Sequence, residues 1–394
     1  MKKITILLLV AALLPALMQC SKRENPVDAA AGPQGYFWNL AFDSQAISGD
    51  IMLSNPGRDV LVYSPPGYDQ TDTATTYPVL YLLHSFGMNQ NLFKGVFSLG
   101  ETMDDLINSG QIEPMIVVTA DASNKLGGSF YTNSPQFGGQ SFAGNFRDYI
   151  TDEIVPLVDS VFHTIQDREH RGIGGFSMGG YGAVKIGMLR NDLFGSVSSM
   201  SGPVAFMGAY PDTTNPYALG LLSLMSGMLA ENNFVPGDTS TFYSISRGPD
   251  KTLTNMMFAM AAAFSPHDPS DPDTTYAHSF TVPGFAGHVD LPFDVDGNLV
   301  PSLWSLWMAN DVLSLFEGGY GSVFDNTDLY VDCGDADDLL MQYQAMAFYE
   351  AASDAIDYYE IYSGFDDVFN ADHSTYIAER LKKVIMFHDQ AFNQ

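Results

Sequence analysis

Residues 172–181 read Gly172-Ile173-Gly174-Gly175-Phe176-Ser177-Met178-Gly179-Gly180-Tyr181. Residues 172–176 form an apolar run of strand length, and residues 181–190 have the length and patterning of a helix. Between them stands a Gly-x-Ser-x-Gly, Gly175 to Gly179, with a further glycine at 180. A serine on so sharp a strand-to-helix turn is forced into a strained conformation, and its flanking positions must be glycine because side chains there would collide with the neighbouring strand and helix. In a glycine-rich chain the same five residues also occur as a plain tight turn. The flanking strand and helix select the first reading, which predicts that Ser177 projects from the carboxyl end of a sheet.

The pattern on either side is of the same kind. Apolar runs at 60–63, 79–83, 115–119, 196–200, 329–331 and 358–362 predict further strands. Helix-length segments lie between them, such as Phe146, Ile150, Ile154, Val158 and Phe162 at a spacing of four, and Ile377, Leu381 and Ile385 likewise. Alternating strand and helix implies an α/β fold, a mostly parallel central sheet with helices on both faces. The alternation lapses between about 204 and 323, where Met, Ser, Gly and Pro are frequent, and resumes at Leu329. That stretch is expected to be an insertion into one domain of residues 36–394. It leaves the core just after Met200-Ser201-Gly202-Pro203, on the sheet edge that carries the elbow, so it is expected to form a mainly helical cap beside Ser177.

The 394-residue chain carries 46 acidic against 17 basic residues, a formal charge of −29 and a pI near 4.2. So few cations exclude electrostatic binding of nucleic acid or anionic lipid headgroups. With 46% apolar and 13% aromatic residues it has material for a full core, which excludes disorder and collagen-like repeats. The N-terminus has Met1-Lys2-Lys3, an apolar run over 4–17, then Met18-Gln19-Cys20. A charged start and an apolar run too short to span a bilayer predict a removed export signal over residues 1–20. Leu17-Met18-Gln19-Cys20 resembles the lipobox of bacterial lipoproteins, with Gln19 bulkier than the small residue usual there. The resemblance implies lipidation at Cys20, residues 21–35 as a flexible tether, and an exported protein held to a bacterial membrane by its lipid anchor alone, facing the periplasm or the cell surface. Cys333 is the other of the two cysteines, so no internal disulfide is expected.

A serine hydroxyl is a poor nucleophile at neutral pH and needs an imidazole base, itself oriented by a carboxylate. On a strand-elbow-helix scaffold the chain order is serine, acid, histidine. His84, His163 and His170 precede Ser177, His267, His278 and His288 lie in the insertion, and His388 lies inside the terminal helix. His373 lies in a loop after the strand at 358–362 and at the mouth of the last helix, where a base can reach back to the elbow. For the acid, Asp332 lies within a strand run, and Asp335, Asp337 and Asp338 lie in the loop beyond it. Residue type alone does not choose among them.

Gly57-Arg58-Asp59 through Ser64-Pro65-Pro66-Gly67-Tyr68-Asp69, Tyr77-Pro78-Val79-Leu80-Tyr81-Leu82-Leu83-His84, and Gly174 through Ala183 resemble the esterase family of α/β-hydrolases. That family groups esterase D (S-formylglutathione hydrolase), feruloyl esterases, siderophore esterases and mycobacterial mycolyltransferases. The resemblance covers about residues 50–203 and 325–390. It implies an α/β-hydrolase fold and a serine esterase that needs neither metal nor organic cofactor. The family's Gly-x-x-Asp falls on Gly334-Asp335-Ala336-Asp337, which selects Asp337 as the acid, and its histidine falls on His373. The backbone N–H groups of Met178 and Phe86 match the positions that hold the oxyanion of acyl transfer. This chain has His84-Ser85 where the family has His-Gly, and the separation of Ser177 from Asp337 is longer than in compact members, as an insertion requires. The implied function is hydrolysis of small-molecule or polysaccharide-linked carboxylic esters, feruloyl or acetyl, through an acyl-enzyme. An acyltransferase using the same triad is the alternative enzyme. A non-catalytic binding lipoprotein on a hydrolase scaffold is the alternative class, against which the retained Ser177, Asp337 and His373 argue.

Weaker signals remain. Asp294-Val295-Asp296-Gly297-Asn298 has the look of a calcium loop, but Gly297 and Ser305 stand out of register with the glycine and glutamate an EF-hand requires, and a plain Asp-Gly turn is the better reading. Trp304 and Trp307, followed by Val312, Leu313 and Phe316, are expected either as the buried face of a helix or as the lining of a substrate pocket. The Met-rich pieces 221–229 and 256–260 are expected to pack, though methionine also suits a surface that adapts to varied ligands.

Overall fold

Strand β3 (Val79–Leu83) is buried at every position. Val79, Tyr81 and Leu83 join the core on one face of the sheet and Leu80 and Leu82 the core on the other. A strand covered on both faces has no polar side, which is why it reads as an unbroken apolar run. The computed structural model describes residues 32–206, 220–271, 279–281, 287–363 and 371–394. The expected export signal, Cys20, most of the tether and His278 lie outside the described residues.

The eight strands of the main sheet are β1 (Tyr36–Asp43), β2 (Gly57–Ser64), β3, β4 (Ile116–Ala120), β5 (Arg171–Phe176), β6 (Ser196–Met200), β7 (Asp328–Gly334) and β8 (Tyr358–Tyr362). Their order across the sheet is β1-β2-β4-β3-β5-β6-β7-β8. β2 runs antiparallel to both its neighbours, and the pairs from β4 to β8 are all parallel. β1 was not legible in the sequence: it is an edge strand, half-covered, with no run of buried positions to mark it.

The longer helices are α1 (Leu99–Asn108), α2 (Val155–Val161), α3 (Met178–Leu189), α4 (Gly220–Glu231), α5 (Thr252–Phe264), α6 (Pro301–Met308), α7 (Val312–Glu317), α8 (Met341–Ala352) and α9 (Ile377–Phe392). α1 and α9 cover one face through Leu99, Met103, Leu106, Leu381, Val384 and Ile385. α2, α3 and α8 cover the other. The segment that ends in α2 departs from the regular helix its spacing predicts: Phe146–Asp148 is α-helical, Tyr149–Ile154 is a π-helix, and Val155–Val161 is α-helical again. A strict repeat of four drifts around an α-helix of 3.6 residues per turn. Interposing a wider π turn cancels the drift, so all five apolar residues from Phe146 to Phe162 stay buried.

Between β6 and β7 the described residues carry α4 to α7 and one short antiparallel pair, Ser279–Thr281 with His288–Asp290. This region is fastened to α3. Tyr181 stacks on Phe206 with ring centroids 5.5 Å apart, and its hydroxyl donates to the Asn310 carbonyl at 2.7 Å. The buried Lys185 ammonium donates to Thr132 Oγ1, Tyr181 Oη and Asn310 Oδ1, and burial pulls its pKa down to about 7.

Candidate active site

Ser177 is the residue between β5 and α3, with φ 57° and ψ −119°. Its N–H donates to the Met200 carbonyl at 2.8 Å, so the turn is stitched to the end of β6. A side chain at Gly179 would place its Cβ 1.8 Å from the Leu83 carbonyl oxygen, and one at Gly175 would sit 2.3 Å from the Gly179 backbone. Helix α3 can start this close to β3 only because both positions lack a side chain.

His373 and Asp337 meet beside the elbow. His373 Nδ1 donates to Asp337 Oδ2 at 2.7 Å, and the imidazole ring lies 4.9 Å from the Phe176 ring, the residue before Ser177. Asp337 is fully buried, and its Oδ1 accepts the Leu339 N–H at 2.9 Å. Burial favours the neutral carboxyl, but the His373 charge and hydrogen bond, the Leu339 N–H and the Cys333 thiol together outweigh it and hold Asp337 below its usual range. Burial likewise disfavours the imidazolium, yet the Asp337 charge and hydrogen bond, with Asp338, outweigh it and raise His373 above its ordinary value.

The other carboxylates left open by residue type are engaged elsewhere. Asp332 is buried and paired with Arg380 at 2.6 Å, Asp335 Oδ1 accepts the Ala371 N–H at 2.8 Å, and Asp338 is exposed. Gly334 gives the spacing its physical basis. A Cβ there would lie 2.3 Å from the Ala371 carbonyl and 2.4 Å from that of Asp372, so the segment bearing His373 crosses directly over the end of β7.

The N–H of Met178 opens α3, and that of Phe86 follows the turn after β3; no hydrogen bond occupies either among the described residues. His84, which the sequence showed only as the first half of an altered His-Gly, sets the second of these. Its Nε2 accepts the Ala122 N–H at 2.9 Å, which leaves Nδ1 to donate to the Ser85 carbonyl at 2.9 Å. In a trans peptide the carbonyl and the next N–H point opposite ways, so pinning the Ser85 oxygen turns the Phe86 N–H away from the His84 ring. Burial depresses the His84 pKa and keeps the ring neutral in this role.

A small cavity of about 20 Å³ adjoins Ser177. Its walls include Phe86, Phe130, Met178, Leu224, Met256 and Met260, and among the described residues Ser177 supplies the one polar side chain in the lining. The Met-rich pieces of the insertion thus face the serine. The two tryptophans expected as pocket candidates do not line this cavity. Trp307 is fully buried, donates its indole N–H to Ser265 Oγ at 2.8 Å and packs edge-on against Phe264; Trp304 lies against Trp307. A tryptophan buried in a core needs a partner for its N–H, and Ser265 is that partner. The Asp294 loop is an ordinary turn in which Asp294 Oδ1 accepts the N–H groups of Asp296 and Asn298. Among the described residues no group of three or more His, Cys, Asp or Glu is arranged to hold a metal ion.

Strand order, one antiparallel strand near the edge and a serine elbow after the fifth strand define the α/β-hydrolase class. Residues 54–240 match the family described as "Putative esterase", and the fold is that of the α/β-hydrolases. A 145-residue stretch is 36% identical to an endo-1,4-beta-xylanase/feruloyl esterase of Xylanibacter ruminicola, covering 36% of this chain and 19% of that protein. A 170-residue stretch is 32% identical to an esterase of Mycobacterium tuberculosis, covering 43% of this chain and 32% of that protein. The match thus spans less than a third of these two relatives' own lengths. Two solved structures share the fold: a ferulic acid esterase (TM-score 0.54, 19% identity, 91% of this chain and 100% of that one) and the S-formylglutathione hydrolase of Agrobacterium tumefaciens (TM-score 0.54, 17% identity, 92% and 97%).

Proposed function

We propose that this chain is an exported serine carboxylic-ester hydrolase, tethered through lipid on Cys20, that works through an acyl-enzyme. Ser177 attacks the carbonyl carbon, His373 takes its proton and later returns it to the leaving alcohol, and Asp337 orients the imidazole and stabilises the imidazolium. The N–H groups of Phe86 and Met178 receive the oxyanion. The observation that carries this reading is the buried His373–Asp337 pair, 2.7 Å from nitrogen to oxygen, packed against the residue before a serine held at φ 57°. Among the described residues the side chains lining the adjoining cavity are apolar apart from Ser177, which supports an apolar acyl group with the alcohol left toward solvent. At about 20 Å³ the cavity as it stands takes a group of methyl size, which suits acetyl, and the feruloyl ester reading rests on the name of the Xylanibacter relative.

The test joins a covalent probe to a substrate panel. A fluorophosphonate is expected to modify Ser177 and no other serine of the folded protein, since only an elbow serine has both a base and an oxyanion hole. Acetyl, butyryl, feruloyl and thioester substrates then rank the acyl group. An unmodified Ser177, by mass spectrometry of folded protein, would remove the hydrolase reading and favour a binding lipoprotein on the same scaffold.

A further inference from the structure

Beneath the His373–Asp337 pair lies a buried polar cluster that the reaction as written above does not use. Arg380 is fully buried on α9. Its Nε and Nη2 donate to Asp332 Oδ1 at 3.1 and 2.6 Å, and Asp332 Oδ2 accepts the Tyr330 hydroxyl at 2.6 Å. Nη2 also donates to Ser201 Oγ at 2.7 Å, and Nη1 donates to the backbone carbonyl of His373 at 3.2 Å. The Ser201 hydroxyl has two acceptors in reach, the His373 carbonyl at 3.4 Å and Cys333 Sγ at 3.6 Å. Cys333 Sγ in turn donates to Asp337 Oδ2 at 3.4 Å, the oxygen that accepts the His373 Nδ1–H.

We propose that Cys333 is a positioning residue for the candidate triad, its thiol giving Asp337 Oδ2 a second hydrogen bond that fixes the carboxylate against His373. The proposal rests on the reading of Ser177, Asp337 and His373 given above. A fully buried carboxylate needs its lone pairs filled, or it rotates or takes up a proton. Leu339 holds Oδ1, and among the described residues the imidazole would be the one donor left to Oδ2 without Cys333. The cysteine's own surroundings keep it a donor: burial and the Asp337 charge push its pKa well up, so the thiol proton stays on sulfur. Arg380 Nη1 points at the His373 carbonyl, and the Ser201 hydroxyl points at that carbonyl or at Cys333, while the remaining Arg380 donors go to Asp332 and Ser201. The imidazole ring and its own backbone are thereby held from two sides.

The test compares Cys333→Ala with Cys333→Ser in the full-length protein. Their side chains are of nearly equal size, so the packing defect is common to both and only the donor differs. The first readout is the pKa of His373, followed by NMR of nitrogen-labelled histidine. Without the thiol the Asp337 carboxylate turns from Nδ1 or takes up a proton, and either change makes the imidazolium harder to form, so Cys333→Ala is expected to lower the His373 pKa by roughly 0.2–0.5 unit. Simple packing damage would lower it equally in Cys333→Ser. The second readout is turnover: Cys333→Ala is expected to lose roughly threefold to tenfold in kcat with KM unchanged, the scale of one net hydrogen bond. Cys333→Ser is expected to recover most of both. Wild-type values in Cys333→Ala, equal losses in both variants, or a rise in the His373 pKa would each overturn the proposal. If Cys333→Ala does not fold, the isosteric pair Cys333→Val and Cys333→Thr makes the same comparison on a strand that favours branched side chains. A wild-type protein inert toward esters and the fluorophosphonate would refute the hydrolase reading, while the His373 titration would still decide the role of Cys333.

Discussion

Replacing Ser177 by glycine should stabilise the protein relative to alanine at the same position, although both changes abolish the chemistry proposed for it. The reason is local. At φ 57° and ψ −119° the residue occupies a region that side chains rarely enter, and such a conformation costs about 1–3 kcal/mol. Alanine removes the hydroxyl but keeps the Cβ, and therefore keeps the strain. Glycine releases it and gives back about 0.4–1 kcal/mol through the greater freedom of its unfolded chain. The Cβ borders a cavity, so little packing is lost with it. The net expectation is that Ser177→Gly is more stable than Ser177→Ala by about 1 kcal/mol.

For a chain of this size that difference corresponds to roughly 1–3 °C in melting temperature, measured at one scan rate in the same buffer. A urea titration at 25 °C gives the same comparison without the irreversibility of heating. Ser177→Gly is expected to melt above Ser177→Ala and at or above the unsubstituted protein, with ester turnover at background in both. If alanine proves as stable as glycine, the serine is not strained and the elbow argument fails at its first step.

Asp337→Asn is expected to lower kcat by about 10⁴, because the amide cannot hold the correct imidazole tautomer or balance its charge, while Asp335→Asn and Asp338→Asn stay within about tenfold of the native rate. The same residue sets the pH profile. Because the folded pKa of His373 is raised above its ordinary value near 6.5, the inactive imidazolium persists to higher pH, and kcat/KM should fall as pH drops through that raised value. Loss of the Asp337 charge should move this limb to lower pH; a limb unmoved in Asp337→Asn would mean that another group titrates there. Leu224→Trp fills the cavity beside Ser177 and is expected to depress butyryl ester hydrolysis at least about tenfold more than acetyl ester hydrolysis; an unchanged ratio would show that the acyl group binds elsewhere.

β3 and β4 were legible because each is buried at every position and almost wholly apolar, and the elbow because its glycines are demanded by contacts of 1.8 and 2.3 Å. His373 was reachable by elimination, since a base must come from a loop on the elbow's side of the sheet. The acid was not. Four aspartates crowd the end of β7, and what separates Asp337 from the rest is where the Ala371–His373 backbone crosses Gly334, a tertiary fact. The supporting cluster was further from view. Arg380, Ser201 and Cys333 belong to the last helix, the residue after one strand and another strand, and the contacts Arg380–Asp332, Ser201–Cys333 and Arg380–Ser201 join residues 48, 132 and 179 positions apart. Trp307 stayed open for the opposite reason: a large apolar residue at helical spacing suits a core and a pocket equally, and in the structure it is fully buried with its indole N–H on Ser265, as the buried-face reading expects.

The register of the parallel sheet explains why these residues converge. Phe176 and Asp332 both pair with Met200, so β5 and β6 end level at Asp332 of β7, which runs two residues further. The ladder then continues beyond the strands: Ser177 N–H donates to the Met200 carbonyl, Ser201 N–H to that of Asp332, and Asp335 N–H to that of Tyr362. Each loop therefore leaves the sheet with its backbone already fixed, and the nucleophile, the polar prop Ser201 and the strand end carrying Cys333 stand in a row about one strand spacing, roughly 4.8 Å, apart. Shifting any one of these strands by a residue would turn its side chains to the opposite face and break the row. The site thus depends on the register of three buried strands, which is why substitutions deep in β6, far from any reacting atom, should weaken turnover before they unfold the protein.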